Sequence, residues 1–186
     1  VSAMNLLGKN NSDSLGVTMP GFGTTDRTYQ NAIDLMKSLG VTIKEISIKD
    51  ACVLHMKDIE HDSLVKDITY ENTQARERTQ ILFGLANKHG KLLVGTGDLS
   101  ELAMGWCTYN GDHMSMYGVN ASVPKTLVKY LVEYVANISD KKTADILYDV
   151  LDTPVSPELL PPDENGNIAQ KTEDNIGPYE LHDFFL

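Results

Sequence analysis

Between Tyr70 and Lys125 the chain gathers side chains suited to binding and polarising anions. In YENTQARERT, Asn72, Arg76 and Gln80 recur at steps of four, which places them on one face of a helix. Asn72 offers a donor and an acceptor, and Arg76 a planar fork that matches carboxylate or phosphate. The competing reading is that Glu71, Arg76, Glu77 and Arg78 make surface ion pairs, which contribute little.

Further along, VGTGDLSELAMGWCTYNGDHMSMYGVNASVPKT adds complementary chemistry. Thr96 and Gly97 stand where a hydroxyl and backbone N–H groups can approach a nucleotide, with Glu101 one turn into the following helix, able to meet Mg²⁺ or a ribose hydroxyl. Capping alone would also account for Asp98 or Ser100 at the helix start and Glu101 in its first turn. Trp106 and Tyr109 present flat faces for a base or pyridine ring, or they are packing residues. Lys125 follows Pro124 at a helix start, where a cation opposes the helix dipole, so an anionic ligand would rationalise it. Asp112 and His113 have no second, suitably spaced His or Cys, which argues against a transition-metal site. His55 and His61 read as solvated, and no nucleophile elbow or Cys nucleophile is recognisable.

These residues need a scaffold. Leu15 to Met19, closed by Pro20-Gly21, suits a buried strand, and GFGTTDRT leads into a helix capped by Thr25 or Asp26 and stopped at Gly40. Val41 to Ile48 alternates as a second strand, which completes a βαβ unit. Asp50 to Leu64 is helical or irregular, a long helix runs from about Glu71 to His89, and KLLVG at 91–95 is a third strand, with Thr96-Gly97-Asp98 turning into a helix. Ligand crevices in open parallel sheets lie at such carboxyl ends. The segment from Trp106 to Pro124 reads as a loop, followed by helices KTLVKYLVEYVANI and KTADILYDVLD. From Val155, SPELLPPDENGNIAQKTED reads as an exposed loop.

At 186 residues the chain suffices for one core. A formal net charge of -10 argues against a general nucleic-acid surface. No apolar run approaches a membrane span. Cys52 and Cys107 are too few for a disulfide framework and point to a reducing cytoplasm. The opening VSAMNLLGKNN is no secretory signal and reads as the end of a helix. With a close on Phe184, Phe185 and Leu186, it gives the chain the look of a piece cut from something longer.

The motifs YENTQARERT, GTGDLSELAMGWCTYNGDHMSMYGVN and VPKTL, supported by TMPGFGTTDRTYQNA and IGPYELHDFF, resemble the synthetase domain of glutamine-dependent NAD synthetases over essentially the whole chain. The resemblance implies a Rossmann-like three-layer α/β/α fold with a parallel sheet, of the adenine nucleotide α-hydrolase type. Residues 1–154 would form a partial ATP-pyrophosphatase domain and 155–186 a loop and C-terminal extension of it. It also implies an ATP-dependent ligase that adenylates the carboxylate of nicotinic acid adenine dinucleotide (deamido-NAD), whose AMP is then displaced by ammonia that a separate glutaminase domain draws from glutamine. By position, Thr96, Lys125 and Ser156 resemble ATP contacts. Glu101 resembles a residue at the reacting centre that meets the dinucleotide or Mg²⁺, and Asn72, Arg76, Trp106, Tyr109 and Asp112 resemble dinucleotide contacts.

The family's SGGxDS pyrophosphate loop, its glutaminase domain and a late lysine are missing from this sequence, so the 186 residues alone are expected to make NAD very slowly or not at all. Relatives shape the dinucleotide site at a subunit interface, so at least a dimer is expected. The helix from Lys125 to Ile138 has apolar residues enough (Leu127, Val128, Leu131, Val132, Val135) for core and partner. The alternatives are another ATP-pyrophosphatase amide ligase, such as one amidating a nucleotide base, and a non-catalytic binding or assembly module.

Overall fold

The computed structural model describes residues 1–161 and 171–186. Helix α1 (Ser2–Leu6) and a 3₁₀ turn at Asn11–Asp13 precede strand β1 (Leu15–Thr18). Helix α2 (Asp26–Ser38) starts at Thr25, whose hydroxyl accepts the Thr28 N–H at 3.2 Å, and leads to strand β2 (Thr42–Glu45). β2 pairs parallel with β1, Leu15 opposite Thr42 through Thr18 opposite Glu45, so the expected βαβ unit is present.

Helix α3 (Lys49–Asp58) and helix α4 (Ile68–His89) then pack together. α4 begins three residues before the expected Glu71, because the Asp67 side chain accepts the N–H groups of Thr69 and Tyr70 and so caps a longer helix. It ends at Gly90, which takes the left-handed conformation at φ 59°. The core centres on Ile48, Cys52, Met56 and Tyr70, all buried, with Met19, Phe22, Ile81 and Leu160 packed around them. α3 and α4 thus cover the carboxyl end of β1.

Strand β3 spans Val94–Asp98, three residues later than KLLVG suggested. The Lys91 N–H is bound to the Ala86 carbonyl at 2.9 Å, so the start of that apolar run completes the end of α4 instead of entering a ladder. Thr96 and Gly97 consequently lie in the strand, not in a turn, and β3 passes directly into helix α5 (Leu99–Met104). Strand β4 (Tyr117–Asn120) pairs parallel with β3. It lies in the segment expected to be loop throughout, where Gly118, opposite Gly95, dilutes the strand pattern.

The described strands thus form two parallel pairs, β1 with β2 and β3 with β4. Side chains link their surroundings: Lys91 Nζ donates to the Asp13 carbonyl, and Arg78 Nε on α4 donates to the Met19 carbonyl at 3.2 Å. Helices α6 (Lys125–Ile138) and α7 (Lys141–Leu151) pack on one another, and α7 packs on α2. Arg27 and Asn31 of α2 both reach the Asp149 carboxylate, Arg27 at 2.6 Å.

The loop expected to be exposed from Val155 turns inward over its first part. Leu159 is buried, its carbonyl accepts from Gln74 Nε2 at 2.8 Å, and Glu158 accepts from the Thr28 hydroxyl at 2.6 Å. Gln74, fully buried, also accepts the Phe22 N–H at 3.0 Å and so stitches the loop to the turn after β1. Gly23 is required there, because a Cβ would run into the backbone of Glu158 and Leu160. The part of the expected loop over 162–170 lies outside the described residues. Beyond it come two short helices, α8 (Thr172–Ile176) and α9 (Tyr179–Asp183).

Candidate active site

Two groups of side chains form around α4, α5 and α6. The first is centred on Lys125, whose ammonium lies 2.7 Å from Asp98 Oδ2 and 2.8 Å from Glu101 Oε1. Asp98 is 2% exposed. It is the N-cap of α5, accepting the Glu101 N–H at 3.0 Å, while Glu101 accepts the Asp98 N–H at 3.2 Å, a reciprocal capping box. One short motif therefore starts a helix and fixes two carboxylates toward a cation. Burial pulls the Lys125 ammonium down, but hydrogen bonds from it to Asp98 and Glu101 outweigh that and raise its pKa above the ordinary lysine value. The anionic partner expected for a cation at this helix start is thus supplied by the chain's own carboxylates.

The second group ties the first half of α4 to the loop after α5. The Thr108 hydroxyl donates to Asn72 Oδ1 at 2.7 Å, and the Thr108 N–H donates to Asp112 Oδ1 at 2.7 Å. Arg76 Nε donates to the Tyr109 carbonyl at 3.1 Å. Among the described residues the terminal nitrogens of this exposed guanidinium have no hydrogen-bond partner. Tyr109 is 74% exposed, and its ring lies 6.3 Å from that of His113, whose Nδ1 is 3.0 Å from the Thr108 carbonyl. Trp106 is half-buried just beyond the end of α5. The residues expected to meet a dinucleotide, Asn72, Arg76, Tyr109 and Asp112, are therefore brought together, with Thr108 as the connector.

Thr96 is exposed on β3, two residues before Asp98. Ser156 lies apart, its hydroxyl accepting the Glu158 N–H at 3.1 Å, and it lines a groove with Thr28, Asn31 and Val150 between α2 and α7. Gln80 is exposed further along α4. The ion pairs weighed as an alternative for Glu71, Arg76, Glu77 and Arg78 are not among the salt bridges of the described residues, so the polar surface of α4 is not simply self-paired. His61 is not merely solvated but contacts Asp67 at 3.0 Å. Burial pushes Cys52 up to about 11 and raises Cys107 as well, which keeps both thiols protonated and unsuited to nucleophilic attack.

Sequence reasoning identified Asp98 as a possible cap but not as the buried carboxylate that holds Lys125. The pattern Asp-Leu-Ser-Glu carries that information once a cation is known to face it. Thr108 is a further polar residue that the sequence left unassigned, and Ser100, the alternative cap candidate, is not the cap of α5 but lies inside that helix, fully buried between α5, α6 and α9.

Among the described residues no group of three or more His, Cys, Asp or Glu side chains converges as a metal cage. Asp98 and Glu101 are hard oxygen donors, which suits Mg²⁺ bound through one or two carboxylates with water and phosphate oxygens completing its shell.

The model of the NAD synthase family matches residues 1–184. A glutamine-dependent NAD(+) synthetase from Mycobacterium leprae is 48% identical over 99% of this chain, which corresponds to 28% of that protein. One from Synechocystis is 35% identical over 99% of this chain and 31% of its own length. The chain thus spans under a third of the curated relatives it matches. Among solved structures, a glutamine-dependent NAD+ synthetase from Acinetobacter baumannii, in complex with adenosine diphosphate, is 33% identical with a TM-score of 0.65 over 73% of this chain and 28% of that one. An NMN synthetase from Francisella tularensis has a TM-score of 0.79 over 97% of this chain and 68% of its own, at 23% identity, a likeness of fold. With these parallel strands, and with the family model running over nearly all of its length, the chain belongs to the NAD synthase family.

Proposed function

We propose that this chain is the part of a glutamine-dependent NAD synthetase that holds deamido-NAD and ATP for amidation. The observation that carries the reading is the pair of side-chain groups: a cation held between two carboxylates, and an exposed arginine brought together with a carboxamide, an aromatic ring and a carboxylate. ATP adenylates the deamido-NAD carboxylate with release of pyrophosphate. Ammonia derived from glutamine then attacks the mixed anhydride, AMP leaves, and the amide of NAD forms. The first step turns a poor leaving group into a good one, so it needs cations around the triphosphate.

Each residue has a part in that scheme. Lys125 offers its ammonium to ATP phosphate oxygens, exchanging part of its contact with Asp98 and Glu101 for them, while Thr96 and Ser156 donate hydroxyls. Glu101, with Asp98 beside it, would hold Mg²⁺. That ion, when bound, neutralises charge on the phosphates. Arg76 uses its free terminal nitrogens on an anionic group of the dinucleotide. Asn72 presents its amide N–H₂, its oxygen being engaged by Thr108. Trp106 and Tyr109 stack on a ring, and Asp112 has one oxygen left for a hydroxyl.

On the same reading, residues 1–154 and 155–186 are parts of one domain, and the protein works in the cytoplasm, without nucleic-acid or membrane partners. It assembles at least as a dimer. The exposed Leu127, Tyr130, Leu131 and Tyr134 of α6 favour such an interface. Calorimetric titration of the chain with deamido-NAD, and with NAD for comparison, tests the proposal. Saturable binding that prefers the deamido form and falls about tenfold in Arg76→Ala, the loss of about 1.4 kcal/mol, is expected. Equal binding of both forms, or an unchanged affinity in the variant, would remove Arg76 from the site.

A further inference from the structure

Helix α6 begins without a capping side chain of its own, because Pro124 occupies the cap position. Its first two N–H groups are satisfied from elsewhere. The Lys125 N–H donates to the Ser100 hydroxyl oxygen at 2.8 Å, and the Thr126 N–H donates to Asp183 Oδ2 at 2.9 Å. The Ser100 hydroxyl in turn donates to Asp183 Oδ1 at 2.5 Å. An ionised carboxylate only accepts, so the hydroxyl proton must point at Asp183, which leaves a Ser100 lone pair for the Lys125 N–H.

Burial works against the Asp183 charge, yet the hydrogen bonds from Ser100 and Thr126 hold its pKa below the usual carboxylate range, so this arrangement is set at neutral pH. Helix α9 supplies a second support. Tyr179 is fully buried, and the Lys125 ammonium lies 5.2 Å from its ring centroid. Backbone and ammonium of Lys125 are therefore both fixed by the same short C-terminal helix.

We infer that Asp183 is a positioning residue: through Ser100 and the first turn of α6 it fixes the aim of the Lys125 ammonium between Asp98 and Glu101. The role in turnover rests on the proposed function, whereas the aim of Lys125 does not, and two readouts separate them.

The first is the rate at which acetic anhydride labels the Lys125 amine, followed by peptide mass spectrometry. Lys129, on the same helix and half-exposed, is the internal control. Asp183→Ala should speed labelling of Lys125 severalfold and leave Lys129 unchanged. Asp183→Asn, which retains an oxygen acceptor for Thr126 and an N–H₂ group facing Ser100, should restore most of the protection.

The second readout is steady-state kinetics of the full-length protein. Asp183→Ala should lower kcat/KM for ATP by about 10- to 100-fold, the penalty of a misplaced catalytic group, with KM for deamido-NAD unchanged and partial rescue by Asn. Unchanged Lys125 labelling in folded Asp183→Ala, or equal acceleration at Lys129, would overturn the positioning role. Altered labelling with an unaffected ATP dependence in an active protein would instead remove Lys125 from the ATP site, and a wild-type protein that makes no NAD would refute the proposed function alone.

Discussion

Removing the positive charge of Lys125 should cost more than removing both partners of its pair. Lys125→Met leaves the Asp98 carboxylate 2% exposed, beside Glu101, with only the Glu101 N–H to stabilise it. Breaking a buried pair from one side costs roughly 3–5 kcal/mol, and because the Lys125 side chain retains 15% exposure the lower end, about 3 kcal/mol, applies here. In Asp98→Ala the ammonium keeps Glu101 at 2.8 Å, so the loss is one helix cap, about 1 kcal/mol, and a share of the pairing, about 2 kcal/mol in all. The double variant loses the cap and the packing and leaves without its cation only Glu101, whose side chain is 27% exposed, in place of the buried Asp98, at about 2–3 kcal/mol. The coupling between the two sites is therefore about 2–3 kcal/mol, readable from urea-unfolding curves of the four proteins at neutral pH. Additivity within about 0.5 kcal/mol, or a Lys125→Met variant more stable than Asp98→Ala, would refute the claim that Asp98 and Lys125 depend on one another as a buried pair.

Other consequences are measurable in the same way. Gln74→Leu orphans the Phe22 N–H and the Leu159 carbonyl, at about 2–4 kcal/mol for the two, and should open residues 155–161 to limited proteolysis; a loss under about 0.5 kcal/mol with an unchanged cleavage pattern would count against the stitch. Burial raises the Glu158 carboxyl above its ordinary value despite the hydrogen bond from Thr28 and the field of Arg78, so its contribution to stability is fully present below the unfolded-state value and is lost as pH rises through the raised one. Glu158→Gln should accordingly gain stability relative to the parent as pH increases from about 4 to 8, and a difference in Tm that stays flat over that range would remove the effect.

The fold was legible where periodicity and punctuation agree. Thr25 before DRTYQNAIDLM, Gly40 after it and the alternation from Val41 specify the first βαβ unit, and β1 and β2 form it, although β2 stops at Glu45. Legibility failed where one residue serves two elements. Lys91 completes the end of α4, so a run that reads as a strand from its first residue enters the ladder only at Val94. β4 was hidden because its partner strand, not its own composition, makes it a strand. The candidate site divided likewise. Residue types and spacing on α4 singled out Asn72 and Arg76, but Thr108, which joins Asn72 to the loop, is identifiable only once the two segments meet. The inward docking of Leu159 depends on Gln74, 85 residues away, and no local pattern encodes such a contact.

The bond between Ser100 and Asp183 also bears on the order in which the protein is made. The 83 residues separating them take roughly 4–17 s to synthesise at about 5–20 residues per second, and during that interval α5 and α6 exist without the carboxylate that closes their junction. A nascent chain therefore carries its lysine unaimed until α9 arrives. The junction of α5 and α6 is thus closed by a residue made well after both helices, so Asp183 bears on when the lysine is aimed as well as on how it is held.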